Sequence, residues 1–116
     1  MSKRHDIDFI EDILISLQKI KQYILDCSYE EFLKDDKTQD AVIRNIEIIG
    51  EASKKISPAL KSNYPDIPWK MIAGTRDKLI HGYFGVNIDI VWEIATIDVP
   101  LLGQQMQKIK DDFSNQ

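Results

Sequence analysis

Large apolar residues recur at positions 7, 10, 13, 14, 17, 20 and 24, spacings of three and four that mark one face of a helix from Ile7 to Leu25. In "SYEE", Ser28 stands three residues before Glu31, a capping-box pattern that predicts a short helix through Leu33. The run "KDDKTQD" reads as a charged turn. A second long helix is expected from about Thr38 to Ile56, with Val42, Ile43, Ile46, Ile49, Gly50, Ser53 and Ile56 on one side. Ser57 followed by Pro58 predicts a cap with proline at the first helical position, then a short turn and an irregular connection to Pro68. A third helix is expected from Pro68 to about Tyr83, ended by "GYFGVN". Asn87 should cap a fourth, which Pro100 kinks or splits before Leu101 to Phe113 continue it. No stretch alternates as a strand, so the fold class is all-α: an antiparallel bundle of about four main helices with short helical turns.

The chain of 116 residues suits one domain, 1–116, with no internal repeat or linker. A net charge of −4 argues against broad, charge-driven nucleic-acid binding but leaves room for a small local site. Cys27, the single cysteine, cannot form an internal disulfide. Neither a signal peptide nor a membrane-spanning run is visible, so a cytoplasmic protein without membrane association is expected. His5 and His81 are far apart in sequence and no Cys or His cluster has metal-ligand spacing, so neither metal nor cofactor is expected. There is no G-x-x-x-x-G-K phosphate loop.

The chemistry concentrates in "GTRDKLIHGY", residues 74–83. At about 100° per residue, a straight helix puts Trp69, Ile72, Ala73, Arg76, Leu79, Ile80 and Tyr83 on one stripe. Arg76 therefore occupies a position that the pattern gives to a core residue. A guanidinium cannot be deprotonated, so burial there requires a counter-charge and several acceptors. Glu47, at the margin of the second helix's apolar face, is the better placed partner; Glu51 points outward with Arg44 and Lys55. A structural ion pair and a working site both satisfy this pattern. His81 points about 140° away from Arg76 on a straight helix and shares a face with Asp77, four residues earlier. Asp77 could orient the imidazole and stabilise its protonated form, or the two could form an exposed pair of little energetic consequence. Arg76 and His81 can meet at one substrate if the helix distorts, or if two copies of the chain bring their third helices together.

Arg76, His81 and Tyr83 spell R-x4-H-x-Y. Together with "RNIEIIGEASKKI", "YPDIPWKMIAG", "TRDKLIHGYFGVNIDIVWEI" and "VPLL" in that order, the chain resembles the HEPN-domain ribonucleases, specifically the HepT-like toxins encoded beside a minimal nucleotidyltransferase (MNT) antitoxin. The resemblance covers roughly residues 5 to 110. It implies a HEPN-like all-α homodimer whose two motifs face a common cleft, acting as a metal-independent endoribonuclease on RNA in a type II-like toxin–antitoxin system. By motif position Arg76 and His81 are the implied catalytic pair, Asp77 the supporting polar residue, and Tyr83 the tyrosine to which the partner nucleotidyltransferase transfers AMP. The competing reading is a non-catalytic helical module that binds a nucleotide or a nucleotidyltransferase, which the acidic net charge favours slightly.

Overall fold

In the computed structural model the first apolar stripe becomes α1 (Asp6–Tyr23), which buries Ile10, Ile13, Leu17 and Ile20. The structure describes residues 4–75, 79 and 85–116. The predicted capping box opens α2 (Tyr29–Leu33): the Glu31 N–H donates to Ser28 Oγ at 3.1 Å, and the Ser28 N–H donates to Glu31 Oε1 at 3.1 Å. This reciprocal pairing satisfies two N–H groups that the first helical turn leaves without partners.

The charged run expected to be a turn is helical for most of its length, because α3 spans Asp36–Lys54 and starts two residues before the expected Thr38. Asp35 is the cause: its carboxylate accepts from the Thr38 N–H at 3.0 Å and the Thr38 hydroxyl at 2.6 Å. Both bonds favour the charged form and hold the Asp35 pKa below its usual value. The buried polar side chains of α3 bond within their own helix. Asn45 Nδ2 donates to the Ala41 carbonyl at 2.9 Å and Ser53 Oγ to the Gly50 carbonyl at 2.7 Å.

Ser57 caps α4 (Pro58–Asn63) as predicted, its Oγ accepting from the Leu60 N–H at 3.2 Å. The same Ser57 donates through its N–H and hydroxyl to the Asp6 carboxylate, at 2.8 and 2.6 Å. The start of α1 is thereby tied to the chain just beyond the end of α3, so the two long helices run antiparallel.

The expected third helix is interrupted at Gly74, and its expected end at Tyr83 lies outside the described residues. α5 covers Trp69–Ala73 and closes at Gly74, which forms a turn; the chain is helical again at Thr75 and at Leu79. A single straight helix from Pro68 to Tyr83 is therefore corrected: the winding is interrupted at Gly74, where the missing Cβ makes a break cheap. Beyond the turn at Gly85, whose φ of +92° suits glycine, the Asn87 side chain accepts from the N–H groups of Asp89 and Ile90 at 3.0 and 3.3 Å. That cap opens α6 (Ile88–Glu93).

Between α6 and α7 (Val99–Ser114) the chain makes one π-helical turn, Ile94–Asp98, closed by the Val99 N–H on the Ile94 carbonyl. Pro100 explains it. With no N–H to give and a ring that crowds the carbonyl four residues back, proline cannot continue an ordinary α-helix, and the wider turn relieves the clash. The predicted kink or split is thus realised as one inserted residue of winding.

α1 lies between α3 and α7, with α5 against α3. Phe32 of α2 reaches the same core and meets Trp92 of α6, ring centroids 5.0 Å apart, while Tyr29 packs edge-on to Trp92 and donates its hydroxyl to Asp89. That hydrogen bond raises the Tyr29 pKa. The described residues form helices and their connections in the all-α bundle expected, and none of these helices is long and apolar enough to cross a membrane.

Candidate functional site

The motif residues Arg76, Asp77, His81 and Tyr83 lie outside the described residues, so their side-chain roles stay expectations from the sequence. What the structure describes is the frame on either side of them. On the entry side, α5 is pinned by three contacts. Trp69 Nε1 donates to the Tyr64 carbonyl at 3.1 Å, and Ile72 is buried in the core. Gly50 of α3 comes so close that a Cβ placed on it would stand 3.4 Å from the Ile72 carbonyl oxygen and 3.8 Å from that of Ala73. A side chain larger than a methyl group at position 50 would have to displace the last turn of α5. The chain then passes Gly74 to Thr75, whose hydroxyl donates back to the Met71 carbonyl at 3.0 Å.

Inside the motif segment Leu79 is buried in the core. Its carbonyl accepts from the Asn87 N–H at 3.4 Å, which anchors the middle of the segment to the residue that caps α6. The described anchors on either side of and within the motif segment are Thr75, Leu79 and Asn87, set by α5, the core and α6 respectively.

Glu47 sits half-buried on the margin of α3, between exposed Arg44 and exposed Glu51. That is the placement read from the helical angles. Arg76, its expected partner, is among the residues outside the description. Among the described residues no three His, Cys, Asp or Glu side chains converge as a metal would need.

A cavity of about 160 Å³ opens beside the entry to the motif, where α5, the π-helical turn and α7 meet. Its floor includes Ile46 and Ile72; Met71 and Leu101 stand at its sides, 59% and 58% exposed. Thr75, Asp98 and Gln105 bring polar groups to this mostly apolar space. Sequence reasoning found none of these three. The available signal was Pro100, which demands altered winding two residues after Asp98 and so changes the direction in which that carboxylate projects.

Comparison with known proteins covers nearly the whole chain. The family described as "HepT-like: Ribonuclease HepT-like" matches residues 13–109. A probable ribonuclease HepT of Thermococcus cleftensis is 44% identical over 108 residues, covering 93% of this chain and 98% of that protein. Two putative RNases of Methanocaldococcus jannaschii are 42% and 44% identical, over 100% and 97% of this chain and 96% and 97% of their own lengths. No solved structure gives a significant match. A match spanning most of the helices from α1 to α7, with relatives of the same length, leads to one statement: the chain belongs to the HepT-like ribonuclease family.

Proposed function

We propose that this protein is a metal-independent endoribonuclease, the toxin of a HEPN/MNT toxin–antitoxin pair, acting as a homodimer with Arg76 and His81 at a shared cleft. The observation that carries the reading is the coincidence of an intact R-x4-H-x-Y pattern at residues 76–83 with family membership over residues 13–109.

The chemistry follows from RNA itself. The 2′-oxygen attacks the adjacent phosphorus as a base removes its proton, the bond from phosphorus to the 5′-oxygen breaks, and that oxygen takes up a proton. The products end in a 2′,3′-cyclic phosphate and a 5′-hydroxyl, with no external nucleophile. His81 serves as the base or acid, since an imidazole changes charge near neutral pH. Arg76 donates through its planar fork to the non-bridging oxygens, where negative charge grows in the transition state. Asp77 orients the imidazole. Glu47, half-buried on α3, holds Arg76 in place as its counter-charge.

The homodimer follows from the family resemblance and from the motif spacing, which on ideal helical winding would set Arg76 and His81 about 140° apart, so that two chains complete one cleft. Tyr83 is the point of control. A partner nucleotidyltransferase moves AMP from a nucleoside triphosphate to the phenolic oxygen, releasing pyrophosphate. The new phosphodiester places negative charge where an RNA phosphate must approach.

The purified protein with a chelator present should cleave an RNA strand and leave 2′,3′-cyclic phosphate ends, and should spare the same strand made with 2′-O-methyl groups. Cleavage of the methylated strand would rule out attack by the 2′-hydroxyl. Co-expression with the nucleotidyltransferase should add the mass of AMP to the wild type and not to Tyr83→Phe; a mass increase retained in that variant would remove Tyr83 from the scheme.

A further inference from the structure

We propose that the cavity between α5, the π-helical turn and α7 is a nucleobase pocket that selects guanine in the RNA strand beside the cleaved bond. The inference rests on the ribonuclease reading above. Thr75 lines the cavity, and Arg76 is the next residue in the sequence. On the ribonuclease reading, a strand that gives a phosphate to Arg76 carries neighbouring bases that this cavity is placed to receive.

Size comes next. About 160 Å³ is too small for a nucleotide with its sugar and phosphate. It is close to the roughly 150 Å³ that houses one six-membered ring in an apolar protein cavity, so a purine enters by the edge of its six-membered ring with its second ring at the open mouth. Met71 and Leu101, both more than half exposed, supply apolar sides against which the faces of a base can lie.

The polar groups decide which base. Asp98 makes no side-chain cap bond, and among the described residues its carboxylate is in no ion pair. A carboxylate is an acceptor only, with two oxygens that can take two parallel donors. Guanine presents such a pair, N1–H and the N2 amino group, on one edge. Adenine and cytosine set a ring-nitrogen lone pair beside their single amino group, and uracil sets two carbonyl oxygens around its one N–H, so each turns a lone pair towards the anion. The Gln105 amide has N–H groups to offer the O6 of guanine, completing a donor and acceptor set along the same edge. Asp98, at the end of the π-helical turn, stands three residues before Leu101 and seven before Gln105, so all three fall along one wall at ordinary helical spacing.

The test uses fluorescent hexamers of 2′-O-methyl uridine carrying one central guanine, and the same probe with inosine, which lacks only the N2 amino group. Anisotropy titration of the full-length protein should show the guanine probe binding roughly tenfold more tightly than the inosine probe, the loss expected for one charge-assisted hydrogen bond. Asp98→Asn should bring that ratio to about one. Because Asp98 is exposed, the variant should keep its helical circular dichroism. A ratio near one in the wild type, or an unchanged ratio in Asp98→Asn, overturns the pocket. Free GMP binding as tightly as the guanine hexamer also overturns it, since the site would then serve a mononucleotide. RNA cleavage without guanine preference sinks the pocket and leaves the ribonuclease standing. Guanine preference lost in Asp98→Asn but unaccompanied by RNA cleavage keeps the pocket and sinks the ribonuclease.

Discussion

Arg76→Ala and His81→Ala should each lower RNA cleavage by at least about a hundredfold, with unchanged helical content. The two substitutions remove different terms. Losing a donor to a transition-state oxyanion typically costs about 3 kcal/mol of barrier, and losing a positioned acid or base costs roughly 10²- to 10⁴-fold in rate. The more informative arm mixes the two inactive proteins after partial unfolding and refolding. If each active site takes Arg76 from one chain and His81 from the other, half of a random dimer population is mixed, and each mixed dimer keeps one intact pair. Cleavage should then return to roughly a quarter of the wild-type rate. If both residues act from the same chain, no dimer holds an intact pair and the mixture stays silent. Equal residual cleavage in all samples would instead indicate a contaminating nuclease and end the catalytic assignment.

Phe32→Ala should cost about 3–5 kcal/mol, the range for removing a large aromatic ring from a packed core. Phe32 is fully buried although it belongs to a helix of five residues, and it meets Trp92 at 5.0 Å between ring centroids. A helix that short has almost no stability of its own. Its place depends on this ring, the capping box at Ser28, and the Gln39 amide, which donates to the Phe32 carbonyl at 2.8 Å. Thermal unfolding should fall by roughly 10–20 °C for a domain of this length. Leu33→Ala on the exposed side of the same helix should stay within about 1 kcal/mol. A loss below about 1 kcal/mol for Phe32→Ala would show that α2 is held by its caps alone.

These contrasts follow the reach of the interactions involved. The caps at Ser28, Ser57 and Asn87 were legible because the acceptor and the N–H it satisfies lie within three residues of each other. The stripes of α1 and α3 were legible because each runs unbroken for about five turns. Reading α3 as starting at Thr38 gave the acidic run to a turn; Asp35, acting as a cap, gave it to the helix.

Two features could not be read by extrapolating an ideal helix: the break at Gly74 and the π-helical turn at Ile94–Asp98. Both change the angular register, and each belongs to a contact or a missing donor that the apolar pattern does not record. For the site, the placement of Glu47 on the half-buried margin of α3 agrees with the angular reading. The chemical roles of Arg76, Asp77, His81 and Tyr83 come from the motif and its family. The polar side chains of the cavity, drawn from α7, the π-helical turn and the residue after Gly74, became neighbours only on folding.

The π-helical turn also makes chain length, independently of residue identity, a determinant of molecular shape. Winding the same residues, Ile94–Asp98, as ordinary α-helix with none removed would turn α6 by about 100° relative to α7. Val91 of α6 and Met106 of α7, both buried in the same core, could then no longer face it together. The wider turn thus takes up one extra residue without changing which way the two helices face, so a one-residue gap in an alignment here marks a change of winding and not of the core.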